Sequence, residues 1–223
     1  MLRGCFVTAS DTGAGKTVLA AAIVASLRAR GEAVTARKPV LTGLDEPDAL
    51  VPFDHELLAL AGGGTAEEIA PLRFGPAVSP HLAAELAGAP IDVEALLADL
   101  RAVPPPLVVE GIGGLLVPLA AGWDVRRLAL ELSLGVVVAA RPGLGTINHT
   151  LLTLEAARSA GLDLRAVVLT PWPHEPGSLE RSNLATIERL GGVEVATLEP
   201  LAELSATALA AAGSRLGYES WLS

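Results

Sequence analysis

The sequence predicts an α/β fold in which a mostly parallel sheet is covered by helices on both faces. Short, continuously apolar runs alternate with longer Ala/Leu-rich stretches along the 223 residues. Uninterrupted apolar runs are typical of strands buried on both faces, and strand–helix alternation favours parallel order through right-handed crossovers. The chain shows no internal repeat and no linker, so we predict a single domain over residues 1–223.

The individual elements follow from the same alternation. Strands are predicted at 4–9, 33–38, 107–111, 135–140 and 164–169, with a weaker pattern at 193–197. Helices are predicted at 16–30, 54–62, 81–88, 92–101, 124–132, 148–160 and 178–190. The segment 205–223 predicts a last helix and a short ending in which Trp221 docks. Ligands of such sheets bind beyond the carboxyl ends of the strands, so function is expected in the loops that follow them.

Charge and composition exclude several classes of protein. Sixteen Lys and Arg face 25 Asp and Glu, and the net charge of −9 argues against a nucleic-acid or anionic-membrane partner. The single cysteine, Cys5, excludes a disulfide framework and a multi-cysteine metal site, and its apolar surroundings predict a buried filler. The longest apolar stretches are interrupted by Glu110, Pro118 and Glu131, and no targeting segment is evident, so we expect a cytoplasmic protein.

A phosphate-binding loop follows the first predicted strand. Residues 10–17 read SDTGAGKT, which matches G-x-x-x-x-G-K-[ST] except that Ser10 replaces the first glycine. Gly13 and Gly15 let backbone N–H groups turn toward an anion, and the helix N-terminus adds positive potential. Lys16 would reach the outer phosphates, and Thr17 offers a hydroxyl to Mg²⁺. The strand–loop–helix order therefore predicts a nucleoside triphosphate site in a fold of the P-loop NTPase type.

The second lysine of the chain also follows a predicted strand. Only Lys16 and Lys38 are lysines; the other 14 cations are arginines. Lys38 and Thr42 stand in KPVLTG, where a cation could hold an anionic group in line with a γ-phosphate. Glu110 ends a buried strand, which is the position of an acid that holds Mg²⁺ directly or through water. Asp54 begins a predicted helix, and it can be interpreted either as the N-cap of that helix or as a metal ligand.

Two further segments carry polar residues at predicted helix starts. Ser79 begins SPHLAAELAG, and the run GLGTINHTLLTLEAA begins at Gly143 with a glycine turn. A helix N-terminus of this kind can receive a carboxylate. His149 is interpreted as a structural hydrogen-bonding residue, and the other histidines lack ligand spacing, so no histidine metal site is predicted.

The ordered motifs FVTASDTGAGKT, KPVLTG, SPHLAAELAG, VVEGIGGLLVPL and GTINHTLLTLEAA resemble the dethiobiotin synthetases of biotin biosynthesis over residues 6 to 158. The resemblance implies a homodimeric enzyme with its active site at the subunit interface. It would use CO₂, ATP and Mg²⁺ to carboxylate and cyclise 7,8-diaminononanoate to dethiobiotin. A carbamate and a carbamic–phosphoric anhydride would be the intermediates, and ADP and phosphate the by-products.

The resemblance also implies roles for single residues, with Lys38 and Lys16 as the catalytic cations and Asn148 acting across the dimer interface. The implied Mg²⁺ ligands are Thr17, Asp54 and Glu110. The implied substrate-binding residues are Thr42, Ser79, Gly145, Thr146 and Asn148. The implied nucleotide-binding residues are Gly13, Ala14, Gly15, Lys16, Thr17, Val18, Asp54, Glu110, Gly111, Ile112, Gly113, Thr170, Pro171 and Pro200.

Three positions depart from the family pattern. Gly13 stands where several members carry an acidic residue, and Asp54 or Asp48 can be the acid of the 44–54 segment. An Asn-Asp pair usually follows the fifth predicted strand, and its Asn reads adenine, whereas this chain has Thr170 and Pro171. Backbone carbonyls of this Pro-rich loop could accept from the exocyclic amine that adenine and cytosine share. We therefore hypothesise a relaxed choice of nucleotide, with CTP as a candidate beside ATP.

Two other enzyme classes share the predicted fold. Partition-type or septum-positioning ATPases usually carry an additional lysine early in the phosphate loop, which here reads Ser10-Asp11-Thr12. Cobyrinate-type synthetases need a glutaminase domain and a cysteine nucleophile, for which the chain offers no room and no suitable cysteine. A non-catalytic nucleotide-binding protein would have little use for Lys38, Thr42 and Glu110.

Overall fold

The computed structural model describes residues 3–46 and 53–223. In chain order its elements are β1 (Gly4–Ala9), α1 (Lys16–Ala29), β2 (Thr35–Arg37), β3 (Val40–Leu41), α2 (Asp54–Gly62), α3 (Ala66–Ile69), β4 (Leu72–Arg73), α4 (Pro80–Leu86), α5 (Val93–Ala102), β5 (Leu107–Glu110), β6 (Pro118–Ala120), β7 (Trp123–Asp124), α6 (Val125–Leu132), β8 (Gly135–Ala140), α7 (Thr146–Ser159), β9 (Leu164–Leu169), α8 (Ser178–Gly191), β10 (Glu194–Thr197), α9 (Ala206–Gly213) and a 3₁₀ turn (Tyr218–Leu222).

Six parallel strands form the main sheet in the order β10-β9-β8-β1-β5-β2. Alternate residues of β1 face opposite layers: Cys5 and Val7 belong to the apolar core formed with α1, α2 and α9, while Phe6 belongs to the core formed with α4 to α8. The α/β prediction is therefore confirmed, including burial of the sheet on both faces. Cys5 is fully buried, as predicted, and burial raises the pKa of its thiol to about 12.

The predicted elements match the structure within a few residues at most boundaries. The strand predicted at 33–38 is only Thr35–Arg37, because the Lys38 N–H leaves the sheet and donates to the Ile69 carbonyl at 2.8 Å. The helix predicted at 148–160 begins earlier, at Thr146. Neither α3 nor the two-stranded sheets β3–β4 and β6–β7 were predicted from the sequence. Each of these strands has only two or three residues, which is too short for a recognisable alternation.

A segment late in the chain packs on α1, the helix that follows the phosphate loop. The Ala-rich α1 is buried over most of its length, and Gly213 of α9 lies so close that an added Cβ would stand 2.0 Å from the Ala22 carbonyl oxygen. The Tyr218 hydroxyl donates to Ser26 Oγ at 2.9 Å, and Trp221 is 1% exposed. Docking of Trp221 is thus confirmed.

Sheet order brings three functional loops to one place. The strands β1, β5 and β2 are neighbours, so the phosphate loop, Glu110 and Lys38 leave the same edge side by side. None of the helices within 3–46 and 53–223 has the length and apolar character that crossing a membrane requires.

Candidate active site

The phosphate loop has the backbone that its glycines predict. Gly13 and Gly15 have φ angles of +70° and +83°, a region that side chains with a Cβ rarely adopt. Gly15 also lies against Thr170, whose Cγ2 would be 2.7 Å from an added Cβ. Lys16 begins α1 and is 6% exposed, and burial together with the positive charge of Lys38 lowers its pKa. The loop therefore places a buried cation at a helix N-terminus.

Lys38 lies at the centre of a buried charge cluster. Its Nζ is 2.6 Å from Glu110 Oε1 and 2.5 Å from Asp54 Oδ2. The Thr17 hydroxyl oxygen is 2.7 Å from Asp54 Oδ1 and 2.9 Å from Glu110 Oε1. The two carboxylates thus connect the second lysine to the phosphate loop, although the four residues come from four separate segments.

Local structure explains how these side chains meet. Pairing of β2 with β5 aligns Arg37 with Val109, so the residues that follow, Lys38 and Glu110, are adjacent. The helix α2 begins at Asp54, but its N-cap residue is Phe53, whose N–H donates to Glu56 Oε2 at 2.9 Å. Asp54 is therefore not an N-cap, and its carboxylate is engaged with Lys38 and Thr17. The alternative acid, Asp48, lies outside the described residues.

Pairing governs the ionisation of the cluster. Burial alone would lower the pKa of Lys38, but the Glu110 and Asp54 carboxylates outweigh it and raise the pKa above its ordinary value. Burial opposes ionisation of Asp54 too, yet contacts with Lys38 and Thr17 bring its pKa below the usual value. Burial raises the pKa of Glu110, and the Lys38 ammonium opposes this rise. Lys38 therefore stays an ammonium, held by acids rather than by water.

The oxygens of Thr17, Asp54 and Glu110 fit a magnesium ion chemically. Mg²⁺ prefers carboxylate and hydroxyl oxygens and keeps several waters, so two acids and one threonine suffice. Glu110 Oε2 is buried and accepts no hydrogen bond from the described residues, which leaves one carboxylate oxygen for such a ligand. No group of three or more His, Cys, Asp or Glu residues suited to a metal occurs in the part of the chain that the structure describes.

A cavity of about 480 Å³ opens beside the cluster. It is lined by most of the residues that were predicted to bind the nucleotide and the reacting groups. Leu41, Leu57 and Leu204, which were not predicted, line it as well. Its lining comprises Thr12, Gly13, Gly15, Lys16, Thr17, Val18, Lys38, Leu41, Thr42, Asp54, Leu57, Glu110, Ile112, Gly113 and Leu204. Two other predicted nucleotide-binding residues do not line the cavity. Ala14, within the phosphate loop, is fully buried, and the Gly111 carbonyl oxygen is 3.5 Å from Lys38 Nζ.

The residues predicted to read the base lie on two neighbouring loops that backbone hydrogen bonds join. Thr170 is 3% exposed and packs under Gly15, while Pro171 is exposed. The Trp172 N–H donates to the Leu198 carbonyl oxygen at 2.8 Å, which brings the loop of exposed Pro200 next to that of Pro171. Neither proline lines the cavity around Lys38.

Several predicted substrate residues also lie outside this cavity. Ser79 Oγ is 3.0 Å from His81 Nδ1, and it caps no backbone group of α4. Thr146 is buried, with its hydroxyl 3.3 Å from that of Thr150. Gly145 and Asn148 are exposed at the start of α7. The start of α7 thus does not line the cavity around Lys38.

Sequence reasoning missed two side chains that hold loops of the site. Arg141 follows β8, and its Nη2 donates to the Thr12 carbonyl oxygen at 2.9 Å, while Nε donates to that of Gly13 at 3.4 Å. The Asn183 amide of α8 donates to the carbonyls of Pro142 and Gly143 at 2.8 and 3.1 Å. These contacts span 40 or more residues, and no local pattern marks them.

Comparison with known proteins gives a consistent result. A family model described as an AAA domain matches residues 3–208. The ATP-dependent dethiobiotin synthetase BioD of Anaeromyxobacter dehalogenans is 39% identical over 221 residues, which are 97% of this chain and 98% of that protein. BioD of Haloferax mediterranei is 39% identical, covering 87% and 83% of the two chains. BioD of Bacillus subtilis is 34% identical, covering 89% and 87%.

Solved structures support the fold. The cell division ATPase MinD of Pyrococcus furiosus has a TM-score of 0.59 and 18% sequence identity, with 98% of each chain covered. A ParA family ATPase of Chlorobium tepidum has a TM-score of 0.55 and 12% identity, covering 95% and 91%. At such low identity these likenesses show a shared P-loop architecture and carry no argument about activity.

Replacing Lys38 tests whether the buried cluster depends on charge pairing. We expect Lys38→Met to lower the free energy of unfolding by about 3–5 kcal/mol, because it leaves the Glu110 carboxylate buried without its cation. The double variant Lys38→Met/Glu110→Gln should lose less than the sum of its two single variants. Urea unfolding of the four proteins measures this coupling.

The matched control for this cycle is Arg73→Met, which breaks the exposed Arg73–Glu67 pair at 2.8 Å. An exposed pair is worth about 1 kcal/mol or less, so this variant should stay close to the parent protein. Strict additivity of Lys38→Met and Glu110→Gln would show that the two side chains do not act as a pair.

Proposed function

This chain belongs to the AAA-domain family and to the ATP-dependent dethiobiotin synthetases, and from that membership we propose how its own residues carry out the reaction. The enzyme is a cyclo-ligase that makes dethiobiotin at the expense of ATP. We propose 7,8-diaminononanoate and CO₂ as the other substrates. The supporting observation is the Lys38 ammonium, which shares both its carboxylates with Thr17 of the phosphate loop.

The proposed chemistry has three bond-forming steps. One substrate amine attacks CO₂ through its nitrogen and loses a proton, which gives a carbamate. A carbamate oxygen then attacks the γ-phosphorus, and the bond to ADP breaks, which leaves a carbamic–phosphoric anhydride. The second amine attacks the carbonyl carbon of this anhydride and loses a proton, so that a cyclic urea forms and phosphate leaves. Anions meet in each step, and the protein mainly has to position them and offset their charge.

The two lysines divide that task. Lys16 lies at the start of α1, where it would hold the β- and γ-phosphates together with the loop amides. Lys38 lies across the same cavity, where an ammonium would face the carbamate and the phosphoryl group that it attacks. Thr42 lines the cavity four residues after Lys38, and we assign it to the diamine or its carbamate.

Thr17, Asp54 and Glu110 would hold Mg²⁺ in this scheme. The ion would supply charge neutralisation at the phosphates. The Asp54 and Glu110 carboxylates already bind Lys38, so the same two acids would orient the catalytic lysine and offer oxygens to the metal.

Phosphate release with and without the diamine tests the proposed reaction. With Mg²⁺, bicarbonate and ATP, we expect release to depend on 7,8-diaminononanoate and the product mass to show one carbonyl bridging both nitrogens. Lys38→Ala should reduce the rate by about 10²–10³ or more, since removal of one transition-state cation or donor has that effect. Arg101→Ala, at an exposed pair with Glu131, should leave the rate unchanged. A rate of phosphate release that is the same with and without the diamine would instead indicate a switch-type ATPase.

We also propose that the enzyme has a relaxed choice of nucleotide base. Thr170 is buried beneath Gly15, so the side chain at the position of the family's adenine-reading Asn supports the loop. The neighbouring Pro171 and Pro200 have no N–H donors, which leaves backbone carbonyls as the polar groups of these two residues. Carbonyls accept from the exocyclic amine of adenine or cytosine alike.

A nucleotide competition assay tests this proposal. We expect CTP to support turnover within about tenfold of ATP, because both bases offer the same donor, a difference of about 1.4 kcal/mol or less. GTP and UTP should compete more weakly. Thr170→Asn should shift the preference toward ATP, whereas the control Thr170→Ser should not. Strict preference of the unaltered enzyme for ATP would contradict the proposal.

We propose further that two subunits build each active site. Leu144 precedes α7 and is 93% exposed, and Leu152, halfway along α7, is 56% exposed. Leu116, which lines the same groove as Leu152, is 59% exposed. Large apolar side chains exposed so close together are typical of an interface. Asn148 lies on the same surface and outside the Lys38 cavity, so a partner's Asn148 could supply the carboxylate contact that one subunit lacks.

Complementation between two inactive variants tests the shared site. Mixing Lys38→Ala and Asn148→Ala subunits should restore about a quarter of the active sites, because half of the dimers are mixed and one of their two sites is intact. Assays at low diamine concentration make the Asn148 defect visible. A site built within one subunit predicts no recovery, since every site would then carry one substitution.

A further inference from the structure

Arg141 contacts the phosphate loop from a different strand of the sheet. It is the first residue after β8, which lies beside β1. Where these two strands end, the Ser10 N–H donates to the Ala139 carbonyl at 2.9 Å. From this fixed base the guanidinium donates to two successive carbonyls of the loop, those of Thr12 and Gly13. A planar fork of donors is suited to holding two acceptors at once.

These two hydrogen bonds determine which way the loop amides face. In a trans peptide the C=O of one residue and the N–H of the next point to opposite sides. Because the Thr12 and Gly13 carbonyls face Arg141, the N–H groups of Gly13 and Ala14 face away from it. Gly13 lines the cavity with Lys16, so its N–H is one that an anion in the cavity could meet, whereas Ala14 is fully buried.

Gly13 makes such an anchor necessary. With φ at +70° and no Cβ, its flanking peptides can rotate more easily than those of other residues, and a rotated peptide would turn a carbonyl toward the phosphates. Gly13 also makes room for the anchor, because a Cβ would lie 2.8 Å from Arg141 Nη2. Gly13 thus gives the loop its flexibility and also leaves space for the Arg141 side chain, which restrains the loop.

The segment after Arg141 is held as well. The buried Asn183 amide donates to the carbonyls of Pro142 and Gly143, the next two residues of the chain. The backbone that carries Arg141 is therefore fixed on one side by the sheet and on the other by α8. Because its backbone is restrained in this way, the exposed Arg141 side chain can keep a defined position.

We propose that Arg141 is a positioning residue for nucleotide binding, which holds the Thr12 and Gly13 carbonyls so that the Gly13 N–H faces the outer phosphates. This role deepens the proposed function, since it rests on the phosphate loop being the ATP site. Arg141 acts through the loop backbone, and it is distinct from the catalytic lysines Lys16 and Lys38.

Affinity for a nonhydrolysable ATP analogue tests this role without requiring turnover. For Arg141→Ala we expect calorimetry with Mg²⁺ and the β,γ-imido analogue to show a Kd about tenfold higher, equal to about 1.4 kcal/mol. The KM for ATP should rise in parallel, while the KM for the diamine and the unfolding temperature of the nucleotide-free enzyme stay unchanged. Arg141→Lys should recover only part of the affinity, because one ammonium does not reproduce the fork.

Two controls separate positioning from other effects. Arg127→Ala removes an exposed arginine that donates to the Gly122 carbonyl at 3.0 Å in the β6–β7 hairpin and makes no contact with the Thr12 or Gly13 carbonyls, and it should not change the Kd. Gly13→Ala should weaken binding less in the Arg141→Ala background than in the parent, since its Cβ no longer meets Nη2.

Specific results would overturn the proposal. Full affinity in Arg141→Lys, with a loss in Arg141→Ala that disappears at high salt, would show a general charge effect instead. Unchanged Kd with a lowered unfolding temperature would show a structural role alone. Failure of the unaltered enzyme to convert the diamine would refute the proposed reaction and leave these binding comparisons intact, so the two failures are distinguishable.

Discussion

The site depends on one constraint, which is that buried charges must be paired. Lys38 and Glu110 are both almost inaccessible to water, and transferring either ion alone into the interior would cost several kcal/mol. Their 2.6 Å contact offsets that cost, and Asp54 and Thr17 complete the cluster. Pairing is possible only because β2 and β5 are adjacent, and because α2 begins where its first carboxylate reaches Lys38. The order of the strands and the start of α2 thus determine together that the Lys38 charge can be buried.

The fold was largely predictable from local pattern, because its main strands are long apolar runs such as Gly135–Ala140 with a clear helix between successive strands. The cluster residues Lys16, Lys38 and Glu110 were also predictable, since parallel strands end at a common edge. Asp54 was ambiguous, as a helix start accepts an acid for two reasons. The minor strands Val40–Leu41 and Leu72–Arg73 were not predictable, because they pair across 32 positions of the chain.

Loop restraint was the part that sequence could not supply. Arg141 meets Thr12 across 129 positions of the chain, and Asn183 meets Pro142 across 41. Neither contact leaves a periodic or motif signature, because a side chain that donates to a backbone carbonyl places no demand on the identity of its acceptor. By contrast, the glycines that such contacts accompany are visible in the motif itself. A motif therefore locates a flexible loop, while only the folded structure identifies what keeps it in one shape.

The packing of α9 and the 3₁₀ turn against α1 also has a consequence for biosynthesis. The helix that presents Lys16 and Thr17 is covered by Gly213, Tyr218 and Trp221, which follow it by almost the whole length of the described chain. At translation rates of about 5–20 residues per second, α1 emerges from the ribosome about 10–40 s before its cover is made. During that interval an alanine-rich, apolar helix lacks one of its native partners. The helix that carries Lys16 and Thr17 therefore completes its packing only after residues 206–222 have been made.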